Sequence, residues 1–342
     1  MAMDWAFVLR LRMVQAVYCA QDYGAGFAHT KGKKSGSSNC DFDYFGRRWR
    51  RMVGLSRGLP ARLGRPRWPR SAGRAGLMAA PATLLTRTAG KRHGPITRVF
   101  SPGDLGELLK PFVFLDYLEA PGGGGPNFGF HPHSGIATLT FPLSFDIAHE
   151  TSQGQIDQVR RGGIEWMMAG GGIWHRAKPL GQDAIRGFQI WFSMPPSHEN
   201  AEPSALFIQP ENVPVSGPVT VLLGAYGQAR SAIPAPFDAN YLWVQLRDGE
   251  RWTYTLPAAH TLAWVFAQQG RLEVVGQTLE REAAVFADGV SEIAFCAQGD
   301  CAFLLGSAVR HPYPLVLGSH SVHTAPEALQ RGTQRIAQLR PL

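Results

Sequence analysis

The sequence predicts an all-β protein: two antiparallel β-barrels packed together, preceded by a disordered, basic N-terminal extension. Three observations predict it. Glycine and proline are abundant, at 39 and 25 of 342 residues, beside 11% aromatics, a balance that suits many short strands joined by turns. Short apolar runs rich in β-branched and aromatic residues recur from about residue 95, in two successive blocks. The charge is divided unevenly. The net charge is +8, yet residues 1–77 hold 15 Lys and Arg against 4 Asp and Glu, leaving 19 basic and 22 acidic residues for the rest.

Residues 1–77 come first. Their densest basic parts are Arg47-Arg48-Trp49-Arg50-Arg51 and the run from Arg62 to Arg74. Gly, Ser, Arg and Pro dominate the later half, with no hydrophobic periodicity, so disorder is expected. Trp49 and Trp68 among arginines would suit nucleic acid, but nothing outside this tail points that way. Asp4, Arg10 and Arg12 interrupt the opening apolar run and argue against a secretory signal. Met78-Ala79-Ala80-Pro81-Ala82 opens a cleaner start, so residues 1–77 are read as upstream sequence joined by a misplaced start.

Residues 78–110 form a lead-in, with Ile96 to Phe100 as an edge strand and Asp104 to Lys110 as a helical turn. The first barrel is expected over 95–225, with strands at Thr138 to Phe145, Ile156 to Arg161, Ile164 to Met168, Phe188 to Ser193 and Val219 to Leu223. Pro195 to Pro203 reads as a surface loop. The second barrel is expected over 226–325, with strands at Tyr241 to Leu246, Arg251 to Leu256, Thr261 to Gln268, Arg271 to Val275, Glu292 to Ala297 and Ala302 to Leu305. Gln269-Gly270 suggests a hairpin between two of them. Residues 326–342 form a helical tail, with Leu329, Ile336 and Leu339 at helical spacing and a break at Gly332. Two barrels back to back would bury edges that each alone exposes. Phe130, Ile136, Phe141, Trp166, Met168, Ile190 and Phe192 are expected among the inward residues of the first barrel, in whichever phase the pleat sets, most of them core and a minority lining an apolar pocket beside the metal.

No apolar run reaches the roughly 18–20 residues that span a membrane as a helix. Cys296 and Cys301 read as buried thiols and no CxxC pair occurs, so a reducing, cytoplasmic setting is expected.

Chemistry concentrates on three histidines. His131 and His133 lie in Phe128-Gly129-Phe130-His131-Pro132-His133-Ser134-Gly135, and His175 closes Trp166-Met167-Met168-Ala169-Gly170-Gly171-Gly172-Ile173-Trp174-His175. On a strand, residues i and i+2 share a face, roughly 6.5–7 Å apart. A lone histidine is more often a hydrogen-bonded core residue than a ligand. Two on one face, beside apolar runs and Gly-rich turns, with a third from a neighbouring strand, point instead to a His₃ metal site with open positions.

These segments resemble those of the pirin family. Phe130-His131-Pro132-His133-Ser134-Gly135 is similar to the pirin FHPHRG motif, and Glu165 to His175 is similar to QWMTAGRGIxH. Phe112 to Tyr117 resembles PFxxLD, Gly187 to Pro195 resembles GxQLWxNLP, and Gly318 to Thr324 with Pro326-Glu327 keeps part of GPFVMNTxEE. The resemblance spans residue 95 to the C-terminus. It implies a bicupin fold with one metal, Fe(II) or another divalent ion, in the first barrel. It implies, for some members, quercetin 2,3-dioxygenase activity on a flat aromatic flavonol. The alternative is a non-catalytic regulatory protein that acts through a protein partner. Two departures bear on this choice. Pirins complete the metal site with a Glu two residues after the third histidine; here that residue is Ala177. The Glu four residues beyond His-x-His is Ala137. Glu165 and Glu150 are the nearest carboxylates in sequence and read as ordinary strand or turn residues, facing away or bonded locally.

Overall fold

The computed structural model describes residues 82–122 and 128–340. The basic segment 1–77 lies outside the described residues. Short strands alternate with glycine and proline turns throughout, as expected of a chain this rich in both. The strands of the first half are β1 (Leu84–Thr88), β2 (Lys91–His93), β3 (Ile96–Phe100), β4 (Phe112–Ala120), β5 (Phe128–His133), β6 (Ile136–Pro142), β7 (Asp146–Thr151), β8 (Ile156–Val159), β9 (Ile164–Met168), β10 (Ile173–Leu180), β11 (Ile185–Ser193) and β12 (Ser204–Ile208). A short helix, α1 (Leu105–Leu109), sits between β3 and β4.

Eleven of these strands build the first barrel from two antiparallel sheets. One runs β12-β9-β6-β11-β4-β3-β2 and the other β5-β10-β7-β8. The second barrel is a single curled sheet of β13 (Val215–Ser216), β14 (Val219–Leu223), β17 (Ala239–Leu246), β18 (Arg251–Thr255), β19 (Leu262–Val274), β20 (Gln277–Leu279), β21 (Ala283–Phe286) and the long β22 (Glu292–Ala308), with β15 (Ala225–Tyr226) and β16 (Ala229–Arg230) paired as a hairpin beside it. The all-β bicupin architecture expected from the sequence is therefore present.

The two barrels meet along an aromatic seam. Phe112 and Phe192 of the first lie against Trp264 and Tyr241 of the second, with the Phe112 and Trp264 ring centroids 5.5 Å apart and edge-on. Edge-to-face rings add about 0.5–1.5 kcal/mol each beyond the area they bury. Phe141, Trp166, Ile190 and Phe192 belong to this seam, and Met168 packs against it. This corrects the expected lining of the first barrel. The pleat turns those residues outward to the second barrel, and alternation then turns Thr138, Thr140, Glu165 and Trp191 inward. The lumen is accordingly more polar than an apolar pocket.

The chain ends cross over. β1 pairs with β21 of the second barrel. Val219–Leu223, assigned to the first block on sequence, pairs with β17 and buries Val219 and Val221 in the second barrel's own core. Conversely, the C-terminal segment returns to the first barrel. Its hairpin, Val316–Leu317 with Val322–His323, meets β5 through a bridge from Ser321 to Ser134. The final helix, α2 (Pro326–Gln338), follows. It accepts the Trp174 indole N–H at the Ile336 carbonyl, 2.9 Å away.

Two local expectations are overturned. Gln269-Gly270 is no hairpin: β19 runs through it with bulges, and Gly270, at φ 73°, bends the strand where a Cβ would lie 2.4 Å from the Asp300 carbonyl oxygen. The turn comes later, at Val275-Gly276, both with positive φ. Gly332 does not break its helix. A Cβ there would lie 2.4 Å from Ser134 Oγ and 2.8 Å from His323 Nε2, so glycine is what lets α2 sit directly on the first barrel.

Candidate metal centre

β5 and β10 run antiparallel with His175 directly opposite His131 and Ile173 opposite His133. The i, i+2 spacing puts both β5 histidines on one face, and the register brings His175 beside them. The ring centroids stand 5.0, 4.3 and 5.1 Å apart for the His131–His133, His131–His175 and His133–His175 pairs. One ring nitrogen from each lies within 4.8 Å of the others. The sequence expectation of these three residues as a metal set thus meets a convergent geometry.

The Nδ1 atoms explain the orientation. His131 Nδ1 lies 2.8 Å from the Gly129 carbonyl, and His133 Nδ1 lies 2.9 Å from the His320 carbonyl. His175 Nδ1 lies 2.8 Å from His149 Nε2. The Nδ1–H groups of His131 and His133 each donate to a carbonyl, which leaves their Nε2 lone pairs free, and one proton lies between His175 Nδ1 and His149 Nε2. His133 Nε2 and His175 Nε2 are buried without a partner. Burial, and then the neighbouring imidazoles, holds His133 and His175 well below the usual imidazole pKa. Burial also lowers His131, which is half-buried and forms the open side. All three are therefore neutral donors near pH 7. A neutral imidazole is the form that binds a metal. The residues fit a divalent ion, and a second set of hydrogen bonds already orients each ring, as metal-ligating histidines require.

Four neighbours complete the picture. Trp191 stands edge-on to His133 at 4.9 Å and stacks on Phe114 at 4.1 Å, closing one wall. The His320 ring lies 6.4 Å from His131 and 6.2 Å from His133, so the C-terminal arm reaches over the site. His149 and Glu165, each 1% exposed, lie behind His175. Sequence reasoning missed His149 altogether; of the readings given for Glu165, facing away or bonded locally, the structure shows the second, with Oε2 accepting from Thr140 on the neighbouring strand. The alternating burial of β7, with Ile147, His149 and Thr151 inward, was the available signal. Glu150 does behave as an ordinary strand residue, pairing with Arg176 at the surface.

The two alanines differ. Ala177 lies on β10, in regular register with β7 and across a bulge from β5, directly opposite His149 and on the face of His175. Ala137 is packed into the seam between barrels, facing away from the histidines. A side chain at 177 can thus reach the site and one at 137 cannot. In the second barrel His260 is bonded to Ser307 Oγ at 2.7 Å and to Asp238 at 3.1 Å. Among the described residues it joins no metal-ligating group. Two open clefts, of about 350 and 470 Å³, lie at the barrel seam and on the second barrel. Neither is lined by the three histidines.

Comparison with known proteins agrees with this geometry. The pirin family profile matches residues 95–192, and the profile of a quercetinase C-terminal cupin domain matches residues 229–305. A candidate quercetin 2,3-dioxygenase of Pseudomonas aeruginosa is 33% identical over 195 residues, covering 53% of this chain and 68% of its own. A pirin-like protein of Caulobacter vibrioides is 31% identical over 216 residues, covering 58% and 74%. The crystal structure of quercetin 2,3-dioxygenase from Acinetobacter baumannii superposes with a TM-score of 0.70 at 21% identity, covering 76% of this chain and 98% of that one. A bacterial pirin of Escherichia coli in complex with nickel(II) superposes at 0.51 with 21% identity, covering 65% and 95%. With paired barrels, a histidine set on β5 and β10, and relatives along both halves, this chain belongs to the pirin family.

Proposed function

We propose that this protein binds a divalent transition ion, Fe(II) by expectation, on His131, His133 and His175, and that it oxygenates a flat aromatic substrate of the flavonol class. The observation that carries the metal reading is the pair of buried, unpartnered Nε2 atoms of His133 and His175, which converge with His131. The nickel(II) complex of the Escherichia coli pirin supports it. The names of the Pseudomonas and Acinetobacter relatives support the substrate class. The ion would act as Lewis acid and as a template for the reactants. The chain's own part is to hold three neutral donors in place, to wall the site with Trp191, and to leave the His131 side accessible. Cys296 and Cys301 are free thiols, which suits the reducing cytoplasm.

A second reading has one observation in its favour. Position 177, which faces the site, carries no carboxylate, so the base that a pirin Glu would offer to a substrate hydroxyl is absent. On that reading the protein is a metal-loaded or metal-free regulator that acts on a protein partner. Metal analysis of the purified chain and oxygen uptake with quercetin separate the two. Bound metal with quercetin-dependent oxygen uptake upholds the oxygenase. Bound metal without uptake favours the regulator, and absence of metal after loading refutes the site.

A further inference from the structure

Two fully buried side chains of the first barrel lie outside the His131–His133–His175 set: His149 and Glu165. Glu165 accepts the Thr140 hydroxyl at Oε2. Its Oε1 is buried and has no hydrogen-bond partner. That oxygen lies 3.4 Å from His149 Nε2, and the same nitrogen lies 2.8 Å from His175 Nδ1. One donor atom from each of His149, Glu165 and His175 lies within 4.8 Å of the others.

This arrangement is short of positive charge. A proton shared between the two imidazoles satisfies one nitrogen and leaves its acceptor partner facing Glu165 Oε1, itself an acceptor. A buried acceptor oxygen without a donor costs about 1–3 kcal/mol. A cation in that space would satisfy all three atoms together. Two imidazoles with one carboxylate are a donor set suited to Fe(II) and similar divalent ions. Ligands about 2.0–2.2 Å from an ion stand roughly 3–4 Å apart; the His149–Glu165 pair at 3.4 Å has that spacing, and the His149–His175 pair at 2.8 Å would open by a few tenths of an ångström.

We propose that His149, Glu165 and His175 form a second seat for a divalent transition ion, fully buried and sharing His175 with the outer seat. The sharing part of the proposal rests on the metal reading of His131, His133 and His175. A neutral imidazole offers one lone pair. His175 therefore serves the outer seat through Nε2 or the inner seat through Nδ1, and the two seats are alternatives for one ion per chain. The carboxylate that position 177 lacks is supplied from position 165, on β9. Ala177 stands directly across from His149, and its small side chain leaves that ring its place.

The test uses the full chain with Co(II) as probe, read by equilibrium dialysis and by the visible absorption of the bound ion. Four proteins are compared: wild type, Glu165→Gln, His131→Ala/His133→Ala, and the combination of all three changes. Gln keeps the length of Glu165 and an acceptor for Thr140. The double alanine variant is expected to retain one cobalt per chain with an altered spectrum, and Glu165→Gln in that background is expected to abolish it. Glu165→Gln alone, with the outer seat intact, is expected to keep one cobalt per chain. If the double variant binds no cobalt while wild type does, the inner seat is overturned and the outer site stands. If cobalt is lost only when Glu165 is replaced, the outer site fails and the inner seat stands. Equal binding in the double and triple variants removes Glu165 as a ligand and overturns the proposal. Should the double variant not fold, by near-ultraviolet circular dichroism, His131→Ala and His131→Ala/Glu165→Gln replace the double and triple variants: equal binding in these two overturns the inner seat.

Discussion

Ala177→Glu adds a carboxylate at the one position beside His175 that faces the metal centre and carries none. β10 keeps regular register with β7 there, so a Glu side chain would extend across the barrel toward the space between His149 and His175. One negative charge about 4 Å from a divalent ion gains ~8 kcal/mol at an effective dielectric constant of ~20. Dehydrating the carboxylate returns several kcal/mol of this. Like-charge repulsion from buried Glu165 returns on the order of 2 kcal/mol more. The net gain is about 1–3 kcal/mol, or roughly 5- to 100-fold in the dissociation constant. Without metal the sign reverses: two buried carboxylates repel, and the metal-free variant should be less stable by about 1–3 kcal/mol. The assay is a competitive Fe(II) or Co(II) titration together with thermal unfolding, with and without metal. A variant that binds metal with the wild-type dissociation constant and unfolds at the wild-type temperature would refute the reasoning, and would leave the regulatory reading the stronger.

Three further outcomes are expected. His131→Ala should alter the visible spectrum of bound Co(II) while His260→Ala should not, since His260 is tied to Ser307 and Asp238 in the other barrel; a wild-type spectrum in both variants would refute the outer site. Gly332→Val should lower the unfolding temperature and weaken metal binding together, because its Cβ would strike Ser134 Oγ and lift the arm whose His320 carbonyl holds His133; wild-type stability in this variant would show that α2 is not seated as described. His311, pushed down to about 4 by burial and by Lys110, stays neutral in the folded protein, whereas in the unfolded chain it takes up a proton near pH 6.5. The unfolded state therefore binds more protons between about pH 4 and 6.5, and stability contributed by neutral His311 is lost as pH falls through that window. The melting temperature of His311→Leu should fall less steeply than wild type over that range, and parallel curves would contradict this.

The sequence by itself determined what depends on neighbours along the chain. The pairing of His131 with His133 follows from the two-residue repeat of a strand, and needs no tertiary information beyond the strand itself. The abundance of turns and short apolar runs likewise determined an all-β chain. Tertiary structure decided everything that depends on which strands meet. The phase of β6, β9 and β11 is one such choice. Both faces of these strands are buried, one on the second barrel and one in the lumen, so local alternation carried no sign, and Phe141 and Trp166 went to the seam while Thr140 and Glu165 went inward. His149 sits in no motif and enters the site only because β7 lies beside β10. The exchange of ends was equally hidden: β1 joins the second barrel and α2 the first, and nothing in a local run names a partner some two hundred residues away. Even Gly332, which reads as a helix break, owes its identity to Ser134, because only a residue without Cβ allows the two backbones to come so close.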